Sequence, residues 1–189
     1  WTSIKPTISS PISAIAVATG NSSIVWVGHN NGNVYKTTNG TLATPTWSQM
    51  DTNPTALPNR KVTRITVDPA NANVVYVTFG GFSADNVYRS ADGGSTWADR
   101  TGSGGTGLPD IPIRTLVVHP DNSQWLYVGG ESGIFTSEDA GATWHVPHDG
   151  PANVSVDELF FLNNATRELV AATHGRGVYK QATSGAPVL

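Results

Sequence analysis

The chain has 189 residues, a formal net charge of −3 at pH 7 and no cysteine. The absence of cysteine excludes disulfide bonds, thiolate metal sites and cysteine nucleophiles, and scattered Lys and Arg residues form no basic stripe for nucleic acid or an anionic membrane. Twenty glycines, twelve prolines and only 13% charged residues favour many short strands and turns over helices.

The chain aligns with itself as four segments, each with three short strands in the same order. These runs are rich in β-branched and aromatic residues and are bounded by turn formers, which is typical of β-strands. The first strands are predicted at 12–17, 62–67, 113–118 and 156–161. The second strands are predicted at 24–27, 74–77, 125–128 and 169–172, and the third strands at 33–35, 86–88, 133–135 and 177–179.

A fourth strand is predicted to begin at a tryptophan in the first three segments, over 47–50, 97–100 and 144–146. The last segment ends after Gln181 without such a strand. The chain opens with Trp1-Thr2-Ser3-Ile4, which has the pattern of a fourth strand. We therefore predict that Trp1–Ile4 pairs beside Val178–Lys180, completing the last sheet and covering its edge.

Four sheets repeating about every 45 residues predict an all-β fold, a β-propeller of four-stranded antiparallel blades with four blades countable. A two-sheet sandwich is the alternative, but it needs no such period. The predicted organisation is a single propeller domain over 1–183 and a C-terminal tail over 184–189. Its blades are predicted at 12–50, 62–100, 113–147 and 156–181 plus 1–4. Closure within the chain is the favoured interpretation, and self-association into a larger ring is the alternative.

One phrase occurs twice, as Ser90-Ala-Asp-Gly-Gly-Ser-Thr-Trp97 and as Ser137-Glu-Asp-Ala-Gly-Ala-Thr-Trp144. A third version, between Thr37 and Trp47, has Asn39 in place of Asp and an insertion of three residues. The pattern Ser-x-Asp-x-Gly-x-Thr-Trp resembles the Asp-box, or BNR repeat, of sialidases, xyloglucan-active glycoside hydrolases and sortilin-type receptor domains. The resemblance implies a propeller with these turns at its outer edge.

The residue types of the phrase suit a structural turn better than a catalytic site. A short carboxylate accepts hydrogen bonds from turn amides, glycine permits a positive φ, and each tryptophan buries roughly 150–250 Å². The predicted structural residues are Ser90, Asp92, Gly94, Thr96, Trp97, Ser137, Asp139, Gly141, Thr143 and Trp144.

The resemblance raises two catalytic alternatives, and neither finds its motif here. A sialidase needs an arginine triad, and Arg64 and Arg114, which we align as equivalent first-strand residues, lack the family's arginine motifs. An inverting hydrolase needs two carboxylates roughly 6.5–9.5 Å apart, and the xyloglucanase-like cleft lies between two seven-bladed propellers. The candidate loop acids are Asp51, Asp85, Asp110, Glu131 and Asp157. We predict no catalytic residue and no cofactor.

A candidate binding face is suggested by the run Thr173-His-Gly-Arg-Gly177, which resembles the closing blade of bacterial Asp-box propellers. It falls between the second and third strands, and the equivalent loops are polar. Long connections from fourth to first strands open on the same face, and ligands commonly bind on such loop-rich faces. The alternative is that the glycines shape a turn and Arg176 caps a neighbouring blade. The candidate ligand-binding residues are Asn30, Asn31, Asp85, Glu131, His174 and Arg176.

The histidines are dispersed, at His29, His119, His145, His148 and His174, and predict no metal site. No apolar run reaches the ~18–20 residues of a membrane span. The predicted function is a non-catalytic module that binds glycan or protein, or a structural part of a secreted or cell-surface bacterial protein. The alternatives are a fragment of a glycan-active hydrolase and a peptide-capturing scaffold of the sortilin type.

Overall fold

The computed structural model describes residues 1–52, 57–147, 150–151 and 153–183, so the predicted tail at 184–189 lies outside the described residues. The strands form four separate antiparallel sheets in chain order. Sheet I comprises β1 (Ile12–Ala18), β2 (Asn21–His29), β3 (Val34–Thr37) and β4 (Ser48–Gln49). Sheet II comprises β5 (Val62–Asp68), β6 (Asn71–Phe79), β7 (Val87–Ser90) and β8 (Ala98–Asp99). Sheet III comprises β9 (Ile113–His119), β10 (Asn122–Gly130) and β11 (Gly133–Ser137), and sheet IV comprises β12 (Val156–Phe161), β13 (Glu168–Thr173) and β14 (Gly177–Ala182).

The predicted all-β class is confirmed, but among the described residues only sheets I and II have four strands. In sheet III, the predicted fourth strand is reduced to a single bridge between Thr136 and His145. The pairing stops near Pro147, because proline has no amide hydrogen to donate to a neighbouring strand. Across the described part of the chain, the one helical element is a 3-10 turn at Gly104–Thr106.

The prediction that Trp1–Ile4 completes the last sheet is wrong in this structure. Within the part of the chain that the structure describes, sheet IV has three strands, and every residue of β14 is exposed. The N-terminal segment lies instead on sheet I, where the Ile4 carbonyl accepts the indole N–H of Trp47 at 2.7 Å. The Lys5 ammonium lies 4.2 Å from the centre of the Tyr35 ring. These contacts hold the segment on sheet I because a tryptophan N–H needs an acceptor and an aromatic face attracts a cation.

The core lies between consecutive sheets. Trp26 and Val34 of sheet I share one apolar cluster with Ile65 and Val77 of sheet II. Equivalent clusters join sheets II and III and sheets III and IV. Because side chains alternate across a strand, each sheet presents one face to the preceding sheet and the other to the following sheet. The first strands β1, β5, β9 and β12 follow one another along the inner edge.

Each first strand carries one extra residue near its start, which interrupts the pairing with the second strand. The extra residues are Ser13, Thr63, Arg114 and Asp157. Such bulges bend a strand and redirect a side chain. The register also shows that Arg64 corresponds to Thr115 and Glu158, so the predicted equivalence of Arg64 and Arg114 is wrong by one residue.

The two copies of the repeated phrase form turns with the same hydrogen bonds. The Asp92 carboxylate accepts from the Ser90 hydroxyl at 2.8 Å, and from the amide and hydroxyl of Thr96 at 2.8 and 2.7 Å. Asp139 accepts the corresponding bonds from Ser137 and Thr143 at 2.8, 2.8 and 2.7 Å. Both turns therefore use the aspartate as a local acceptor, which is the geometry that a structural role requires.

The hydrogen bonds to these aspartates favour the ionised carboxylate. The hydroxyl and amide of Thr96 lower the pKa of Asp92 to about 2. Burial alone would raise the pKa of Asp139, but hydrogen bonds from the amide and hydroxyl of Thr143 outweigh it and lower that pKa.

Candidate functional site

Two positions repeat at the same end of every sheet: the extra residue of the first strand and the residue that follows the second strand. The pairs Ile113–Gly130 and Val156–Thr173 bring these positions together in sheets III and IV. In sheet III they are Arg114 and Glu131, and in sheet IV they are Asp157 and His174. We refer to Arg114, Glu131, Asp157 and His174 as the charged rim.

Arg114 connects the charged rim across two sheets. Its Nη2 and Nε donate to Glu131 Oε1 at 2.6 and 3.1 Å, and its Nη1 lies 3.3 Å from Asp157 Oδ1. His174 Nδ1 lies 3.5 Å from the other oxygen of Asp157. All four side chains are partly or fully exposed, and exposed ion pairs contribute only about 0–1 kcal/mol to stability. The rim therefore offers donors and acceptors to solvent at little cost to the fold.

A second ion pair lies next to the rim on the inner strands. Arg64 of sheet II contacts Glu158 of sheet IV, bridging past sheet III. Thr115 is the equivalent residue of sheet III, and its hydroxyl accepts a hydrogen bond from the Leu159 amide at 3.3 Å. A cavity of about 220 Å³ is lined by these inner strands, including Arg64, Glu158 and Val17. The inner edge is thus polar at one end and partly apolar within.

The predicted ligand residues are not all brought together. Glu131 and His174 belong to the charged rim, whereas Asp85 pairs with Arg60 at 2.6 Å. Asn30 and Asn31 make turn contacts: their amides donate to the Pro11 carbonyl at 3.0 Å and to the Ser10 hydroxyl at 3.1 Å. Arg176 lies on the exposed turn between β13 and β14.

The predicted acids separate in the same way. Asp51 accepts the Val34 amide at 2.9 Å and so holds the start of β3. Asp110 is exposed on the loop before β9. Only Glu131 and Asp157, of the five predicted acids, contact the same arginine.

The histidines have different surroundings. His29 Nδ1 lies 2.8 Å from the Ser10 carbonyl, and His119 Nε2 lies 3.0 Å from the Thr183 carbonyl, both in buried positions. His148 lies outside the described residues. Within 1–52, 57–147, 150–151 and 153–183, no group of three or more His, Asp or Glu side chains could hold a metal ion. The same residues contain no helix long and apolar enough to span a membrane.

Sequence reasoning missed two features of this end of the molecule. It did not link Arg114 to Asp157, although the predicted first strands 113–118 and 156–161 already place these two residues at the same position of adjacent repeats. It also missed Asn86, which is fully buried and donates to the carbonyls of Gly81, Ser83 and Ile111 at 2.8–3.1 Å. A buried asparagine with these bonds fixes the β6–β7 loop, whose Phe82 is exposed.

Antiparallel sheets that pack in chain order, with their first strands together at an inner edge, define a β-propeller architecture. The chain belongs to the DUF6242 beta propeller domain family, whose model matches residues 1–174. No curated protein matches the sequence.

Solved structures share the fold at low sequence identity. The GH74 enzyme of Niastella koreensis is 21% identical, with a TM-score of 0.68 over 92% of this chain and 29% of that chain. The GH74 xyloglucanase of Xanthomonas campestris is 17% identical, with a TM-score of 0.64 over 90% and 29%. The extracellular domain of a B. thetaiotaomicron protein is 17% identical, with a TM-score of 0.67 over 97% and 22%. The chain therefore spans less than a third of each of these relatives.

Proposed function

We propose that this propeller is a non-catalytic binding module of a secreted or cell-surface bacterial protein, and that its ligand contacts the charged rim. The observation that carries the proposal is the placement of Arg114 between two carboxylates, on exposed bulge and loop positions. Bulges and loops beside a rigid sheet are common places for binding residues. The likeness to the extracellular domain of a B. thetaiotaomicron protein supports the proposed location.

A glycan is the ligand that the rim chemistry favours. Arg114 and His174 offer N–H donors, and Glu131 and Asp157 offer acceptors, so the rim can hydrogen-bond to a ligand with many hydroxyl groups. Phe82 projects from a loop at the same end of the sheets and is 78% exposed, which provides an apolar face for a sugar ring. The likeness to a GH74 xyloglucanase makes xyloglucan oligosaccharides the first ligands to test.

Hydrolysis is the second candidate function, because Glu131 and Asp157 are two carboxylates close to one another. We rank it lower since both carboxylates contact the same guanidinium. The chain also spans only 29% of each GH74 relative, and the family's cleft is expected between two propellers.

The test is calorimetric titration of xyloglucan, cello- and sialo-oligosaccharides into the wild type and Arg114→Gln. We expect the substitution to weaken binding by about tenfold or more, because hydrogen bonds to charged groups are lost. Arg167→Gln is the matched control. Arg167 also joins sheets III and IV, through Asp121 at 2.9 Å, but at the opposite end of the sheets.

The outcomes separate the candidates. Binding that is lost in Arg114→Gln and kept in Arg167→Gln supports the rim site. Equal binding by both variants would show that the ligand does not contact the charged rim. No binding of any of these oligosaccharides would reject a glycan as the ligand. Sugar release that disappears in Glu131→Gln would instead establish the hydrolase.

A further inference from the structure

The N-terminal segment occupies the position of a fourth strand that belongs to a preceding sheet. The Trp97 indole donates to the Met50 carbonyl at 2.7 Å, and the Trp144 indole donates to the Arg100 carbonyl at 2.8 Å. Met50 and Arg100 directly follow the fourth strands of sheets I and II. The Trp47 indole makes the same bond to Ile4 at 2.7 Å. Ile4 therefore stands where the end of a preceding fourth strand would stand.

Sheet I leaves open the face that would meet such a preceding sheet. Ile15 of β1 is 61% exposed, whereas the equivalent residues Ile65, Leu116 and Leu159 are 3%, 1% and 1% exposed. Val17, two residues further along the strand, is also exposed. An apolar pair at these positions is covered in the other sheets by the preceding sheet.

Sheet IV leaves open the complementary face. Val178 of β14 is 71% exposed, whereas its equivalents Val34 and Val87 are fully buried against the following sheet. Phe160 of β12 points to the same face and is 44% exposed. One chain thus carries both halves of a sheet-to-sheet interface, and none of the described residues covers either half.

An open pocket between sheets III and IV matches the site of the missing tryptophan. In sheet II, Trp97 belongs to an apolar cluster with Val34, Val75, Val77 and Tyr88. The residues at the corresponding positions line the pocket, whose volume is about 400 Å³, and they are Ile134, Leu169, Ala171 and Tyr179. Trp144 is packed by the corresponding residues of sheets II and III. Trp1, which begins the N-terminal segment, is fully exposed.

We propose that two copies of this chain join head to tail, with the N-terminal segment of each copy completing sheet IV of the other. Trp1 fills the pocket between sheets III and IV of the partner copy, and Thr2–Ile4 pairs with its β14. The contact of Ile4 with Trp47 keeps the segment on its own sheet I, so the sheet that it completes must lie beside sheet I. In this structure the chain's own sheet IV does not lie beside sheet I, since β14 is exposed along its whole length.

Two such junctions close the assembly by two-fold symmetry. A head-to-tail contact forms a closed ring when the rotation between copies closes. Each junction repeats the interface that already joins consecutive sheets of one chain, with Ile15 facing Val178 of the partner. The result is a ring of eight sheets in which every sheet has a neighbouring sheet on both faces.

The test uses cysteine cross-linking, because the chain has no cysteine of its own. In sheet II, Tyr88 pairs with Asp99, and the corresponding residues of the proposed junction are Tyr179 and Ser3. Ser3→Cys and Tyr179→Cys are prepared as separate proteins and mixed under oxidising conditions. We expect a covalent species of twice the 19.9 kDa chain mass in the mixture, and none in either protein alone.

The double variant distinguishes the competing closure. A disulfide within one chain, with no cross-link in the mixture of single variants, would show that Trp1–Ile4 returns to its own sheet IV and would overturn the proposal. The absence of any cross-link, together with a monomer mass by light scattering, would overturn it as well.

A surface variant gives an independent measurement. Val178→Asp places a charge in the proposed junction, and we expect it to reduce the light-scattering mass from a dimer to a monomer. Phe82→Asp is the matched control, since Phe82 is similarly exposed but lies on the β6–β7 loop. Loss of the dimer in both variants, or in neither, would contradict the assigned interface.

Discussion

At the scale of single residues, the aspartates of the repeated turns have the most sharply defined surroundings. Asp139 accepts three hydrogen bonds from Ser137 and Thr143. We expect Asp139→Ala to lower the free energy of unfolding by about 1–3 kcal/mol, because the Ser137 hydroxyl and the Thr143 amide and hydroxyl lose a charged acceptor. Asp139→Asn should cost less, since Asn39 performs a similar role in sheet I.

Chemical denaturation of these variants measures the effect. Glu138→Ala, a substitution of the neighbouring acidic residue, is the control and should change stability little. If Asp139→Ala unfolded at the same midpoint as the wild type, the proposed structural role of Asp139 in the turn would be wrong.

The pH dependence follows from the lowered pKa of Asp92. A carboxylate whose pKa is depressed in the folded state stabilises that state above its unfolded pKa of about 4. This contribution is lost as the pH falls towards the folded pKa of about 2. We therefore expect the melting temperatures of the wild type and Asp92→Asn to converge between pH 4 and pH 2.

Melting curves at pH 2–6 check this expectation, with Asp110→Asn as the control on an exposed loop. A difference between wild type and Asp92→Asn that stays constant across this range would show that ionisation of Asp92 does not contribute.

At the scale of elements, the repeated turn depends on glycine at one position in the left-handed region. Gly94 has φ +96°, and a Cβ there would lie 2.7 Å from Cη2 of Trp26 in the preceding sheet. Gly20 has φ +74° but no atom within 4 Å of such a Cβ. Both substitutions to alanine share the backbone strain, so the steric contact alone distinguishes them.

We expect Gly94→Ala to destabilise the protein by about 1–3 kcal/mol more than Gly20→Ala, because the added methyl overpacks the contact with Trp26. Urea unfolding of the two variants measures the difference. Equal midpoints would show that the turn can move away from sheet I without cost.

The strands and repeated turns could be predicted from sequence because they depend on local patterns. The alternation of β-branched residues and the spacing from Asp92 to Trp97 involve only residues that are close together in the chain. The extra residue of each first strand could not be predicted, since a bulge changes the pairing without a fixed residue type. Its occupants range from Ser13 to Arg114. The predicted strands place Arg114 and Asp157 at the same position of adjacent repeats, but they do not show that both are bulge residues, and so the charged rim was not predicted.

At the scale of the whole molecule, the sequence predicted a fourth strand at Trp1–Ile4 for sheet IV, and the structure forms no strand there. Trp1–Ile4 has the pattern of a fourth strand, and Ile4 receives the bond expected at the end of one. The pattern alone does not specify whether the segment completes sheet IV of its own chain or sheet IV of a second copy, because identical copies offer the same edge. That choice depends on the curvature with which the sheets stack, which short-range residue patterns do not encode.

The two-copy ring makes stability depend on protein concentration. Folding that is coupled to association follows mass action, so a hundredfold dilution removes about 2.7 kcal/mol. This free energy is lost per ring of two chains, so it corresponds to a fall in melting temperature of roughly 3–5 °C. Val178→Asp should melt at a temperature that does not change with concentration, whereas Phe82→Asp should behave as the wild type. Calorimetry at two protein concentrations measures this dependence. A wild-type melting temperature that does not change on dilution is incompatible with a junction that buries Ile15, Val178 and Trp1.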